Sequence, residues 1–415
     1  MLSFYDVVVL GAGPAGLAAA IGAHDEGAST LLVEREERMG GILKQCIHDG
    51  FGLLNFGERM TGPEYAERYL KEFSARNIDS VSNAFVDFAE KTPEGFTLSM
   101  RTAKGMEHVS CKALVLACGC RERTSKQVFI HGDRPAGVFT AGAAQYYVNI
   151  MGYLPTKRCV ILGSGDIGLI MARRLTLEGA NVLGVYEVKS EPSGLTRNIA
   201  QCLDDFNIPL HLSTTVTKVI GQKRVKAVEV CKVDKSMQPI PETAQTIECD
   251  ALILSVGLIP ENEVAQSLGV EIDPATKGPI VDQSFMTNVD GVFCCGNALH
   301  VHDLVDHVSR GALVAGKSAA QYERGRERKL IPIIYLKDDF LYVVPQQFNK
   351  NAGYEMEVCF RSRESRIGAT VSLNADGALI KKKKYARLVP AEMECITVRL
   401  PDGTTQIETR MEGEL

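Results

Sequence analysis

The chain has 415 residues, enough for two to four domains at roughly 100–200 residues each. Hydrophobic residues make up 45% and charged residues 23%, an ordinary globular balance that excludes disordered, collagen-like and low-complexity classes. With 46 basic against 51 acidic residues the net charge is −5, without the basic excess of a nucleic-acid binder.

The chain opens on a buried strand at 6–10 (DVVVL), a glycine loop at 11–16 (GAGPAG), an Ala-rich helix to about Glu26 and a second buried strand at 29–34. This is a βαβ start. Residues 61–79 read as an amphipathic helix opened by Thr61. Residues 81–109 read as alternating strands, and ALVLA at 113–117 as another buried strand. The same pattern then returns: a strand at 158–162, a glycine loop at 163–168 (GSGDIG), a helix to Glu178, a strand at 181–187 and a buried strand at 251–256. A third block, about 258–328, carries GVFCCGN at 291–297 and a helix from about Asp303 to Arg324. The last block, 329–415, is rich in β-branched and charged residues, with turns at 374–377 and 401–403. Lys381 to Lys384 reads as a solvated strand end.

Each glycine loop has the GxGxxG spacing that chemistry at a dinucleotide requires. The first glycine permits the tight turn, the second lets a pyrophosphate approach the backbone, and the third lets helix and strand pack closely. The phosphates then face free N–H groups at a helix N-terminus. In the first copy these are Gly11, Gly13 and Gly16, with Pro14 and Ala15 between them. Glu34 follows 18 residues after Gly16, in place to grip a ribose 2′-OH. In the second they are Gly163, Gly165 and Gly168, with Asp166 and Ile167, and Glu187 follows 19 residues on. An acid there favours a free 2′-OH, and so NAD(H) over NADP(H). Two dinucleotide sites in one chain suit hydride transfer between a flavin and a nicotinamide.

The twelve cysteines (46, 111, 118, 120, 159, 202, 231, 249, 294, 295, 359 and 395) contain no CxxC. Zinc ribbons, thioredoxin-type dithiols and ferredoxin-like clusters lose their usual spacing. Scattered cysteines suit a reducing cytosol. No secretory signal is visible, and no segment offers the roughly 20 uninterrupted apolar residues of a spanning helix.

On these motifs residues 1–328 resemble the two-dinucleotide-binding-domain flavoproteins, the pyridine nucleotide-disulfide oxidoreductase-like family of glutathione and thioredoxin reductases. The resemblance implies an α/β fold of two Rossmann-like domains, the NAD domain inserted in the FAD domain; the last block, beyond the resemblance, reads from its β-branched composition and turns as a small C-terminal β-rich domain. The boundaries are 1–124 and 258–328 for FAD, 125–257 for NAD and 329–415 for the β-rich part. Arg38-Met-Gly-Gly41 is similar to the family's element near the FAD pyrophosphate. Gly296 and Asn297 stand where the family has Gly-Asp, whose acid contacts the ribityl chain. Gly119 and Gly257 lie in segments that resemble the two interdomain crossovers. FAD and NAD(H) are the implied cofactors, and no metal is expected. The family's disulfide reductases carry a cysteine pair. Here Gly40-Gly-Ile-Leu-Lys-Gln-Cys46-Ile-His48-Asp-Gly-Phe-Gly52 has one cysteine, which argues against a dithiol enzyme.

That segment, Cys118-Gly-Cys-Arg-Glu-Arg123, Gly163-Ser-Gly-Asp-Ile-Gly-Leu-Ile-Met-Ala-Arg-Arg174 and Gly296-Asn-Ala-Leu-His-Val-His-Asp-Leu-Val-Asp306 resemble a narrower group. It comprises the FAD/NAD-linked oxidoreductase associated with bacterial glycerol-3-phosphate dehydrogenase or oxidase, and the α subunits of opine oxidase, hydrogen cyanide synthase and dye-linked amino-acid dehydrogenases. It implies a cytoplasmic subunit that relays electrons between a nicotinamide and a partner flavoprotein dehydrogenase or oxidase. A homo-oligomer is compatible with it; nucleic acid and a membrane span are not expected. With only Cys359 and Cys395 in the last block, the iron–sulfur centre of those α subunits is not expected. Cys46 and His48 are the candidate catalytic residues. Cys118 and Cys120 form a CxC. The spacing His300-x-His302 with Asp303 and Asp306 is one that a metal can use, but at the flavin edge His48, His300, His302 and His307 read instead as polar contacts or proton handling. Two rival readings stay open: a non-catalytic nucleotide-binding assembly subunit, and a stand-alone single-cysteine thiol or disulfide reductase.

Overall fold

The computed structural model describes residues 3–414. The chain falls into two compact units. The first takes in the chain up to Lys44, Asp49–Cys120 and the chain from Pro260 on; the second takes in Gln45–His48 and Arg121–Ile259.

The first unit is built on a seven-stranded sheet. Phe4–Leu10 lies between Thr30–Val33 and Gly105–Leu116, parallel to both, and Asp79–Val81 extends the parallel side. Helix Pro14–Asp25 buries nine of its residues, Ala15 through Ala23, as a helix that is apolar all round must. Gly22 and Gly16 admit close neighbours there: a Cβ on Gly22 would sit 2.6 Å from Leu313 O, in helix Val305–Ala320. Helix Gly62–Ala75 begins where the sequence predicts, with Thr61 and Glu64 forming a reciprocal capping box.

One strand differs from its reading. The end of the alternating run and the later apolar run form a single 12-residue strand, Gly105–Leu116. Its first half pairs antiparallel with Gly95–Thr102, and its second half pairs parallel with Phe4–Leu10 and, at its end, with Val292–Cys294. The change from alternating to continuous burial marks the passage from a one-sided meander to a two-sided parallel sheet, not a break in the chain.

The second unit repeats the plan. Val138–Thr140, Ala251–Leu254, Arg158–Leu162, Asn181–Tyr186 and Leu210–His211 make an all-parallel sheet, with helix Asp166–Leu177 after the second glycine loop. A separate four-stranded sheet contains Thr214–Ile220, Ala227–Lys232 and Gln245–Glu248. Residues 45–48 belong to this unit because Gln45 Nε2 donates to Gly142 O (2.8 Å) and Gln145 Oε1 (3.1 Å), while Asn149 Nδ2 donates to Gln45 O (2.8 Å).

The C-terminal block is β-rich, and its strands form two sheets that share a core of Phe340, Phe348, Phe360, Val371 and Leu373. Lys381 to Lys384 are exposed on strand Ala378–Lys384, which follows the turn at Asp376 and Gly377. The block packs within the first unit rather than standing apart. Tyr342 and Val344 join the core of the seven-stranded sheet, Gln346 Nε2 donates to Asp273 Oδ2 (2.9 Å), and Arg328 is anchored on Asp282. That pair is nearly dry, with the two side chains 12% and 0% exposed. Arg328 Nη2 donates to Asp282 Oδ2 (2.8 Å) and Nη1 to Thr287 O (2.6 Å), while Asp282 Oδ1 accepts from Ser284 N and Met286 N. Burial raises the Asp282 pKa despite the guanidinium beside it, so desolvation outweighs the attraction. Removing one member of such a pair strands the other charge. Asp282→Ala should cost about 3–5 kcal/mol, read as a lower melting temperature, with Asp282→Asn intermediate.

Candidate functional site

The two glycine loops have the same construction. In the first, a Cβ on Gly11 would lie 2.5 Å from Ala117 O and one on Gly16 would lie 1.6 Å from Gly11 O, whereas at Gly13 the nearest atom is Gly41 Cα at 3.9 Å. In the second, a Cβ on Gly163 would lie 2.0 Å from Ser255 O and one on Gly168 2.4 Å from Gly163 O, whereas at Gly165 the nearest atom is Ser255 Oγ at 3.9 Å. The outer glycines are therefore demanded by the fold. The middle one leaves bare backbone, as close approach of a pyrophosphate requires. Gly11 and Gly163 have φ of +95° and +100°, a region that only glycine enters freely. Pro14 starts its helix at a position where a missing N–H costs nothing.

The two acids are buried, and each closes its own loop. Glu34 Oε2 accepts from Ala12 N (2.7 Å) and Oε1 from Glu36 N (2.8 Å). Glu187 Oε2 accepts from Ser164 N (3.0 Å), Ser164 Oγ (2.6 Å) and Ser193 Oγ (3.2 Å), and Oε1 from Lys189 N (3.0 Å). The carboxylate is thus a strut of the loop. Asp166, on the first turn of the following helix, accepts from Leu195 N (2.9 Å) and Asn198 Nδ2 (2.7 Å) and holds residues 195–198 over the loop. Ile167 is half-buried beside it.

Other predicted positions gather around the first loop. Gly40 N donates to Ala12 O (2.8 Å), and a Cβ on Gly41 would lie 2.8 Å from Gly13 Cα. A Cβ on Gly296 would lie 2.6 Å from Ala15 Cβ. Arg38 is exposed, with its carbonyl accepting from Lys44 Nζ. Gly119 and Gly257 both take positive φ (+73° and +101°). The surfaces of the two loops fit two dinucleotides by this measure.

Asn297 has a role that sequence reasoning missed. Its Oδ1 accepts from His302 N (3.1 Å) and faces His302 Nδ1 (3.2 Å), and its Nδ2 lies 3.6 Å from Cys120 Sγ. The His302 amide fixes Oδ1 as an acceptor, so Nδ1 carries the ring proton. Burial, then His307, holds the His302 pKa down to about 3, and burial with His302 and Arg361 holds His300 well below its usual value. Both rings are neutral at pH 7, stacked with centroids 4.0 Å apart. Asp303 and Asp306 are already engaged. Asp303 pairs with Arg361 and accepts from Met393 N (2.6 Å), and Asp306 accepts from Gly52 N (3.1 Å) and Asn55 N (2.8 Å). Neither is available as a metal ligand for His300 or His302.

Cys46 does not fit a poised nucleophile. It is 5% exposed, its Sγ lies 3.8 Å from Gln145 Oε1, and burial pushes its thiol up to about 12. A reactive cysteine needs the opposite, an electropositive site that stabilises thiolate. His48 belongs to the same short segment. Cys118 is likewise pushed up to about 12 by burial, and neither Cys118 nor Cys120 is in a disulfide. Iodoacetamide at neutral pH should leave Cys46 unmodified in the folded chain, and Cys46→Ser should reduce flavin with NADH at an unchanged rate. Rapid labelling, or a lost rate, would restore Cys46 as a redox thiol.

Residues 5–319 match the family model described as pyridine nucleotide-disulphide oxidoreductase. An opine oxidase subunit of Agrobacterium tumefaciens (strain Ach5) is 26% identical over 355 residues, 80% of this chain and 66% of that protein. Hydrogen cyanide synthase subunit HcnB of Pseudomonas protegens is 27% identical over 368 residues, 79% of this chain and 75% of that one. The chain thus spans about two thirds to three quarters of these relatives. Thioredoxin reductase of T. acidophilum superposes with a TM-score of 0.62 at 21% identity, over 77% of this chain and 99% of that one, and shares the fold. No helix among the described residues is long and apolar enough to cross a membrane. The chain belongs to the pyridine nucleotide-disulphide oxidoreductase family, whose members are FAD-dependent oxidoreductases that use FAD and NAD(P)H.

Proposed function

We propose that this chain is an FAD-dependent NAD(H) oxidoreductase that passes electrons between nicotinamide and flavin and serves a partner dehydrogenase. FAD would be held by Gly11, Gly13, Pro14, Ala15, Gly16, Glu34, Arg38, Gly41, Gly119, Gly296 and Asn297. NAD(H) would be held by Gly163, Gly165, Asp166, Ile167, Gly168, Glu187 and Gly257. The observation that carries this reading is the paired construction of the loops. Each has bare backbone at the middle glycine and a buried glutamate tied to the amide of the residue before it. When bound, flavin supplies a two-electron acceptor for nicotinamide hydride. The chain's own residues bind and orient. The loop amides face phosphate, Glu34 and Glu187 hold the loops, and the neutral His302 keeps Asn297 in place. A carboxylate rather than Arg at the second strand end favours NAD(H) over NADP(H). Besides one disulfide, Cys359–Cys395, ten cysteines are free, as suits a cytoplasmic setting.

A partner of the amino-acid dehydrogenase type is supported by the relatives that are subunits of opine oxidase and hydrogen cyanide synthase. A glycerol-3-phosphate partner rests on motif resemblance alone. Anaerobic mixing with NADH should bleach the flavin absorbance of the purified chain. A bound flavin that stays oxidised would overturn the reading in favour of a non-catalytic role in assembly.

A further inference from the structure

Cys359 and Cys395 are joined in a disulfide. They are direct partners on the antiparallel strands Glu355–Ser362 and Met393–Arg399. Alternation along the first strand sends Met356, Val358 and Phe360 into the sheet core, so Glu357, Cys359 and Arg361 share the opposite face. Arg361 ties that face to Asp303, and Met393 N to the same carboxylate. His307, in the first turn of helix Val305–Ala320, meets it too. A ring nitrogen of His307, a carboxylate oxygen of Glu357 and Cys395 Sγ all lie within 4.8 Å of one another. Cys359 Sγ is bonded to Cys395 Sγ, outside that trio, and becomes the candidate fourth donor once the S–S bond is broken. His307 Nδ1 is buried and makes no hydrogen bond among the described residues. A buried polar atom with no partner calls for an explanation.

We infer that these four side chains form a redox-gated zinc site, closed by the disulfide and opened by its reduction. The donors are two sulfurs, one imidazole and one carboxylate, a set that suits tetrahedral Zn²⁺. With Zn–S about 2.3 Å and Zn–N about 2.0–2.1 Å, donors around one ion lie about 3.3–3.8 Å apart, within reach of the observed cluster. A dithiol reductant breaks the S–S bond. Two electrons and two protons pass to Cys359 and Cys395, and the reductant is left as its own disulfide. Zn²⁺ then displaces both thiol protons to solvent. The disulfide links only two strands that already pair; the metal would also tie them to the helix that follows Gly296 and Asn297. No CxxC marks the site, because its donors come from three separate elements.

The test uses the full chain, reduced anaerobically with dithiothreitol, desalted and equilibrated with Zn²⁺. One zinc per chain should be retained, and none after diamide oxidation. Cys395→Ser and His307→Gln should each weaken zinc by more than the roughly 10–100-fold that loss of an outer-shell partner costs. With Co²⁺ the reduced chain should show tetrahedral d–d bands at longer wavelength than flavin, shifted by His307→Gln. That readout decides the matter if Cys395→Ser does not fold. A reduced chain that retains no zinc, or one whose zinc affinity and cobalt bands ignore His307→Gln, overturns the inference.

Discussion

Gly16→Ala should yield a chain that purifies without flavin. The added Cβ would lie 1.6 Å from Gly11 O, 2.8 Å from Gly11 C and 3.5 Å from a Leu32 side-chain carbon. Two of these are backbone atoms of the loop itself, so no rotamer change relieves the contact. Either helix Pro14–Asp25 moves away from the sheet or the loop opens. The helix is buried on nearly every side, so close packing resists the first. Opening the loop destroys the turn that presents its amides. Destabilisation above about 4 kcal/mol is expected, in the range reserved for named steric faults. The measurements are flavin absorbance per chain and the thermal melt. Gly168→Ala is the informative companion. Its Cβ would lie 2.4 Å from Gly163 O, but 2.9–3.0 Å from the Ser255 side chain. It should keep flavin and lose reduction by NADH. A Gly16→Ala chain with full flavin content, or a Gly168→Ala chain reduced at the normal rate, would reverse the assignment of the loops.

Glu187→Arg should lower NADH efficiency by about 100-fold or more, without a matching gain for NADPH. A simple exchange of coenzyme preference would follow if the carboxylate only faced a ribose. In the structure Glu187 is 4% exposed and accepts four hydrogen bonds from Ser164, Ser193 and Lys189. Hydrogen bonds to a charged group are worth about 1.5–3 kcal/mol each. Loss of two of them therefore costs about 3 kcal/mol or more, and each 1.4 kcal/mol is a factor of ten. The guanidinium would also enter a space shaped for an acceptor. The ratio of NADPH to NADH efficiency should still rise, because the acid that favours a free 2′-OH is gone. Steady-state kinetics with both coenzymes measure this. Unchanged NADH efficiency would remove Glu187 from the site.

The glycine loops, their flanking strands and the two acids are legible in the sequence because their signals are local. A GxGxxG spacing, a buried strand before it and an acid 18 or 19 residues after it all act within one βαβ unit. Backbone sterics leave few other ways to make that turn. The repeat of the same arrangement makes the two Rossmann-like halves readable as a pair. The runs 81–109 and 113–117 read as separate because periodicity reports which faces are buried, not whether a strand continues through a change of environment.

Tertiary structure alone decides what the distant residues do. Asp282 and Arg328 are separated by 46 positions, and Cys359 and Cys395 by 36; neither pairing leaves a trace in local pattern. Cys46 sits in a motif-like segment, yet its reactivity depends on burial against Gln145, 99 residues away. His307 stands among acids in sequence, but Asp303 and Asp306 are spent on Arg361, Met393, Gly52 and Asn55, and its neighbours are Glu357 and Cys395. Local spacing specifies a phosphate loop because the loop is made by consecutive residues. Desolvation and donor geometry are set by whatever the fold brings alongside, and only the folded chain contains that information.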